Sequence, residues 1–122
     1  MKKSIIFALA ACLLISSLSV AIALAQEVQK ATISFTDYKI EPSELTLRPG
    51  KVEFTLINKG TVRHNLRLKL GDKDLKLNNQ TKAGETVKTE VDLVAGEYDM
   101  SCASTEGGSH REKGMVGKLR VK

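Results

Sequence analysis

Apolar and polar residues alternate one by one through most of this chain after residue 26, and that pattern decides what it can fold into. Side chains alternate faces along a β-strand, whereas a helix repeats every three to four residues, and the helical repeat is hard to find beyond residue 26. Ala31, Ile33 and Phe35 alternate with Thr32, Ser34 and Thr36, and Leu45 and Leu47 precede a Pro49-Gly50 turn. Val52, Phe54 and Leu56 run opposite Glu53, Thr55 and Ile57 and stop at Asn58-Lys59-Gly60. His64, Leu66, Leu68 and Leu70 share a face up to Gly71-Asp72, and the polar residues 71–82 read as a connection. Val87, Val91 and Leu93 lie between Ala83-Gly84 and Ala95-Gly96. Tyr98, Met100 and Cys102 then alternate with Glu97, Asp99 and Ser101, and Met115, Gly117, Leu119 and Val121 share one face of a final strand. About seven to eight short strands with turn signals at roughly 8–12-residue spacing predict an all-β chain, a Greek-key β-sandwich or barrel.

Residues 1–25 read differently. Lys2 and Lys3 precede an uncharged, mostly apolar stretch over 4–24, and Ala23-Leu24-Ala25 offers a small-x-small cleavage pattern before Gln26. This predicts a signal peptide over 1–25 and a single domain over 26–122, exported to the periplasm or another extracytoplasmic compartment. Residues 4–24 are also long enough to span a bilayer, so retention as a membrane anchor is the competing expectation. A lipobox-like Leu9-Ala10-Ala11-Cys12 is a third, set aside because the uncharged stretch continues well past Cys12. With 42% apolar and 27% charged residues and a mean hydropathy of -0.14, the chain is neither a polytopic membrane protein nor a disordered tail. Its net charge of +5 contains no block of five like charges, so nucleic acid is not an expected partner.

Removing residues 1–25 takes Cys12 with it and leaves Cys102 as the lone cysteine in an oxidising compartment, where it can form no internal disulfide. A buried thiol acting as a small apolar residue would account for it. Its neighbours suggest more. By strand parity His64, Cys102 and Met115 all stand at inward-facing strand ends, and His110 lies in the loop between the last two strands. In a sandwich such loop ends cluster at one pole. Two imidazoles, one thiolate and a weak thioether are the donor set of a mononuclear blue-copper electron-transfer site. Taken singly, each residue reads otherwise: a histidine at a strand start or in a Gly-rich loop as hydrogen-bonded or exposed, Met115 as core. Arranged as His…Cys-x7-His-x4-Met, they point together to a metal. The thiolate suits both copper oxidation states, the imidazoles bind either, and a long thioether contact tolerates both. A Cys–His catalytic pair can be drawn from the same residues, and a zinc site would more often carry further cysteines or histidines. Asn65, beside His64, is a candidate to orient a ligand through hydrogen bonds or else a solvent-facing strand residue, and Met100 reads as core.

Three segments carry a resemblance: TVRHNL, AGEYDMSC and SHREKGMVGKLRV. From about Ile33 to Val121 the chain resembles the cupredoxins, the small blue type 1 copper proteins of the plastocyanin and azurin kind. The resemblance implies a cupredoxin barrel holding one copper on His64, Cys102, His110 and Met115, and single-electron carriage, with electrons leaving through an exposed edge of His110. It implies redox partner proteins, acidic or membrane-bound oxidoreductases among them, for which Arg63, Arg67, Arg111 and Lys113 offer a basic rim, and a monomeric state. One departure stands out. Seven residues separate Cys102 from His110, more than in single-copper members, and Glu106-Gly107-Gly108 is where a bulge would absorb them. The same spacing occurs from the first cysteine to the histidine of the dinuclear purple-copper loop, with Glu106 in place of its second cysteine. Glu106 is thus an alternative ligand, as in red-copper nitrosocyanin. Copper storage or delivery, and a metal-free domain, are the other expectations weighed.

Overall fold

The computed structural model describes residues 27–122, so the signal peptide or anchor expected over 1–25 lies outside the described residues. Nine strands run in chain order: β1 (Gln29–Thr36), β2 (Lys39–Glu41), β3 (Glu44–Leu47), β4 (Gly50–Asn58), β5 (Arg67–Leu70), β6 (Lys73–Lys76), β7 (Thr86–Leu93), β8 (Gly96–Ser101) and β9 (Val116–Val121). There is no helix among the described residues, as the alternation requires. The strands form a four-stranded sheet in the order β2-β1-β4-β7 and a five-stranded sheet in the order β3-β9-β8-β5-β6. β1 pairs parallel with β4, and β3 parallel with β9; the other pairs are antiparallel.

The period-two pattern fills the space between the sheets. Ile33, Phe35, Val52, Phe54 and Leu56 face inward from one sheet, and Leu68, Tyr98, Met100, Leu119 and Val121 from the other, all buried. Burying each such side chain contributes about 1.5–3 kcal/mol, which makes this shared layer the main source of stability. Tyr98 reaches the core without stranding its hydroxyl, which donates to the carbonyl of Val94 at 2.8 Å. Polar atoms inside are matched elsewhere too, since no buried side-chain nitrogen or oxygen among the described residues lacks a partner.

Two strands depart from the sequence expectation. β2 and β6 were not foreseen, and β6 lies inside the stretch 71–82 that reads as a connection. Each stands at the edge of its sheet and is short and charged. Each offers a single apolar residue among charged ones, Ile40 in β2 and Leu75 in β6, too short a run for alternation to be read even though Ile40 is buried in the core. The run expected to start at His64 also begins later: β5 opens at Arg67, and His64 makes an isolated antiparallel bridge with Thr81.

Gly117, opposite Met100 on β9, marks the tightest packing behind the site. A Cβ there would lie 2.5 Å from the Ser43 carbonyl oxygen and 2.9 Å from Met100 Cε. The backbone oxygen cannot step aside. Gly117→Ala is expected to lower the unfolding free energy by about 1–3 kcal/mol in urea denaturation; a loss within about 0.5 kcal/mol, the range of an ordinary surface change, would contradict this packing.

Candidate metal centre

The pole is built from three pieces of chain. At the end of β4, the buried Asn58 donates from Nδ2 to the carbonyls of Val62 and Thr81, each at 2.8 Å, and accepts from Gly60 N at 2.8 Å. This pins the 59–63 loop and delivers His64 to its bridge, where His64 N donates to Thr81 O at 3.1 Å and Thr81 N returns to His64 O at 2.7 Å. The third piece is the 102–115 loop, closed on itself by backbone bonds from Cys102 N to Met115 O (3.3 Å), Met115 N to His110 O (3.1 Å) and His110 N to Ser104 O (3.2 Å). The extra residues fold as a turn over 105–108, closed by Gly108 N to Thr105 O at 2.9 Å. Asn65 ties the two regions together. Its Oδ1 accepts from Ala103 N at 2.8 Å, its Nδ2 donates to Asn79 O at 3.1 Å, and its backbone N–H points at Cys102 Sγ, 3.4 Å away.

The side chains thus brought together are buried: His64 and His110 are 0% exposed and Cys102 1%. His64 Nδ1 and His110 Nδ1 lie 3.1 Å apart, with Cys102 Sγ 3.9 Å from the first and 3.5 Å from the second. One donor atom from each of the three lies within 4.8 Å of the others. The outer nitrogens fix the tautomers. His110 Nε2 is 2.7 Å from the Glu106 carbonyl oxygen, which only accepts, and His64 Nε2 is 2.8 Å from Asp37 Oδ1. Both Nε2 atoms therefore carry the ring proton and both Nδ1 atoms present lone pairs inward. Two lone pairs and a sulfur converging in a dry pole suit a cation. Met115, wholly buried, closes the same loop.

Burial governs the electrostatics. It lowers the pKa of His64, against the opposing pull of the Asp37 hydrogen bond, so the ring stays neutral. It raises that of the Cys102 thiol, an effect partly offset by the backbone N–H groups of Asn65 and Ser104. Asp37 is held far below the usual carboxylate range, first by the Thr61 hydroxyl and then by the Thr61 backbone N–H, His64 and Val62, against the opposing effect of burial. Without a cation Cys102 is a neutral thiol beside a neutral His64 ring; a metal ion would displace the thiol proton and bind the thiolate.

The sequence matches the cupredoxin-like domain family over residues 5–119. The chain belongs to the cupredoxin-like family. No curated protein sequence matches it. Among solved structures, auracyanin B is similar with a TM-score of 0.69 at 19% identity, covering 80% of this chain and 91% of its own. A reduced amicyanin variant gives 0.56 at 24% identity, over 76% of this chain and 82% of its own. A purple cupredoxin from Nitrosopumilus maritimus gives 0.55 at 20% identity, over 75% and 99%. At these identities the shared property is the fold. The donor set of this cupredoxin fits one copper ion, with His64, Cys102, His110 and Met115 arranged as in a type 1 site.

His64, Cys102 and His110 come together at one pole of the cupredoxin barrel, Met115 lies buried in the same loop, and Asn65 is a buried tie between the two halves of the pole. The Glu106 carboxylate points elsewhere: Oε2 accepts from Arg63 N at 2.9 Å, and the residue serves His110 through its backbone carbonyl. The exposed edge expected of His110 is absent. The Tyr38 ring packs edge-on against it with centroids 5.0 Å apart, and Lys113 Nζ lies 4.3 Å over the outer face of that ring. The expected basic rim is partly engaged as well, with Arg67 paired to Asp74 and Lys113 donating to Gly107 O at 2.6 Å. Sequence reasoning missed Asp37, Tyr38 and Thr61. An Asp-Tyr pair in a turn between two strands carries no signal of its own.

Two outcomes follow from this geometry. Asn65→Ala removes the acceptor of Ala103 N and is expected to cost about 1–3 kcal/mol of stability in the metal-free protein, measured by chemical denaturation. Tyr38→Ala uncovers His110, so alkylation of that ring in the metal-free protein, followed by mass spectrometry, should accelerate at least about tenfold while His64 stays protected. Equal rates with and without the ring would mean that Tyr38 does not seal the site.

Proposed function

We propose that this cupredoxin is an exported type 1 copper protein that carries single electrons between redox partners. His64 Nδ1, Cys102 Sγ and His110 Nδ1 would hold the ion, with Met115 as a further, weak donor. The reading rests on one observation above the others: two inward lone pairs and a thiol converge in a buried pole while both ring protons are committed outward. When bound, copper supplies a one-electron Cu(II)/Cu(I) couple. The protein's part is to hold the donors in one geometry, keep water away and seal the outer side with Tyr38. No proton has to move, because both imidazoles keep their Nε2 protons on fixed acceptors.

Partners on this reading are redox proteins that dock near the Tyr38 side of the pole; the signal-like sequence expected over 1–25 is in keeping with work outside the cytoplasm, and the protein acts as a monomer. The storage or delivery alternative needs an accessible, exchangeable site, whereas His64, Cys102 and His110 are all buried. The red-copper alternative needs the Glu106 carboxylate, which is engaged with Arg63 N.

The test is to add Cu(II) to the purified protein and record visible absorption and electron paramagnetic resonance. An intense thiolate-to-copper band with narrow hyperfine splitting is expected, lost in Cys102→Ser and unchanged in Glu106→Gln. A colourless complex, or colour that survives Cys102→Ser, would overturn the electron-carrier reading.

A further inference from the structure

Asp37 lies in the turn between β1 and β2, far in sequence from every donor residue, yet its carboxylate ends on the buried ring of His64. Oδ1 receives the His64 Nε2 proton at 2.8 Å, and Oδ2 receives the Thr61 backbone N–H at 2.9 Å together with the Thr61 hydroxyl. The approach is possible because residue 60 is glycine. A Cβ at Gly60 would stand 2.3 Å from Asp37 Oδ1 and 2.8 Å from His64 Nε2, so any side chain there would break the pair apart. Among the described residues, Asp37 has no ionic partner other than His64. The charge of this carboxylate, 24% exposed at the side chain, is therefore directed into a ring that is wholly buried.

A carboxylate on the outer nitrogen of a ligating histidine fixes its tautomer and makes the inner nitrogen a stronger donor. It also places a full negative charge one ring away from the metal position. That charge stabilises a divalent ion more than a monovalent one. By contrast the other imidazole, His110, rests on a neutral carbonyl.

We infer that Asp37 is a positioning residue that locks His64 with Nδ1 toward the metal and, through the ring, lowers the reduction potential of the copper site. This rests on the copper reading given above. The electron itself passes between copper and the redox partner, and Asp37 exchanges neither electron nor proton.

The experiment compares Asp37→Asn and Asp37→Ala with the wild type in two measurements. In a redox titration of the copper-loaded proteins, Asp37→Asn keeps an acceptor for His64 but loses the charge. It is expected to keep the visible spectrum while weakening Cu(II) relative to Cu(I) binding about tenfold, a rise in potential of about 59 mV for one electron. In the metal-free proteins, nitrogen chemical shifts of His64 should report the Nε2–H tautomer in the wild type and Asp37→Asn and a mixture in Asp37→Ala. An unchanged potential in Asp37→Asn would overturn the electrostatic role, and a pure Nε2–H tautomer in Asp37→Ala the positioning role. If the wild type takes up no copper with thiolate colour, the copper reading fails and the potential effect falls with it. The tautomer measurement needs no metal and still decides whether Asp37 positions His64.

Discussion

Two bare imidazole nitrogens held 3.1 Å apart in a buried pole repel each other, and only a proton or a metal cation relieves that repulsion. The surroundings disfavour the proton. Each ring already spends its one proton outward, on Asp37 or on the Glu106 carbonyl, and a second proton would create an imidazolium away from water, which burial opposes at His64. The Cys102 thiol has one hydrogen to offer and lies near both nitrogens. A metal ion satisfies all three donors at once, and the rest of the pole can be understood as the means of keeping them there.

That task falls to elements distant in sequence. His64 is fixed by its bridge to Thr81 and by the Asn58 side chain, while Cys102, His110 and Met115 belong to one loop closed by its own backbone bonds. Asn65 fastens the first region to the second, and behind both stands the packed layer of β8 and β9, with Gly117 allowing the close approach of Ser43. Strained or loosely held donors would shift whenever the charge of the metal changed. Donors held at the ends of packed strands and tied by several hydrogen bonds have little freedom to do so, which suits the electron carriage proposed above.

Much of this was legible beforehand, because alternation reports burial directly. The inward faces of β1, β4, β8 and β9 could be read residue by residue, and parity placed His64, Cys102 and Met115 at strand ends on the core side. Edge strands β2 and β6 left no trace, since each sets only one apolar residue, Ile40 or Leu75, among charged ones. The ligand loop was legible in its residue types but not in its path: nothing in Glu106-Gly107-Gly108 indicates that Glu106 would turn its carboxylate to Arg63 and its carbonyl to His110. The cover over His110 runs against the exposed edge expected from sequence for a related reason. Tyr38 approaches from the turn between β1 and β2, and contacts between residues that distant in sequence follow from the fold as a whole. Asp37 escaped notice on the same ground, as a common turn residue whose role depends on a glycine at position 60 and a histidine at position 64.

The claim at the centre of this account is that one fixed donor set serves both oxidation states. X-ray absorption at the copper edge, recorded on the loaded protein after oxidation and after reduction, tests it most directly. The account predicts one sulfur and two imidazole nitrogens at short distance in both states, with little change in bond length between them. Loss of the sulfur, departure of an imidazole on reduction, or an added oxygen ligand on oxidation would contradict it.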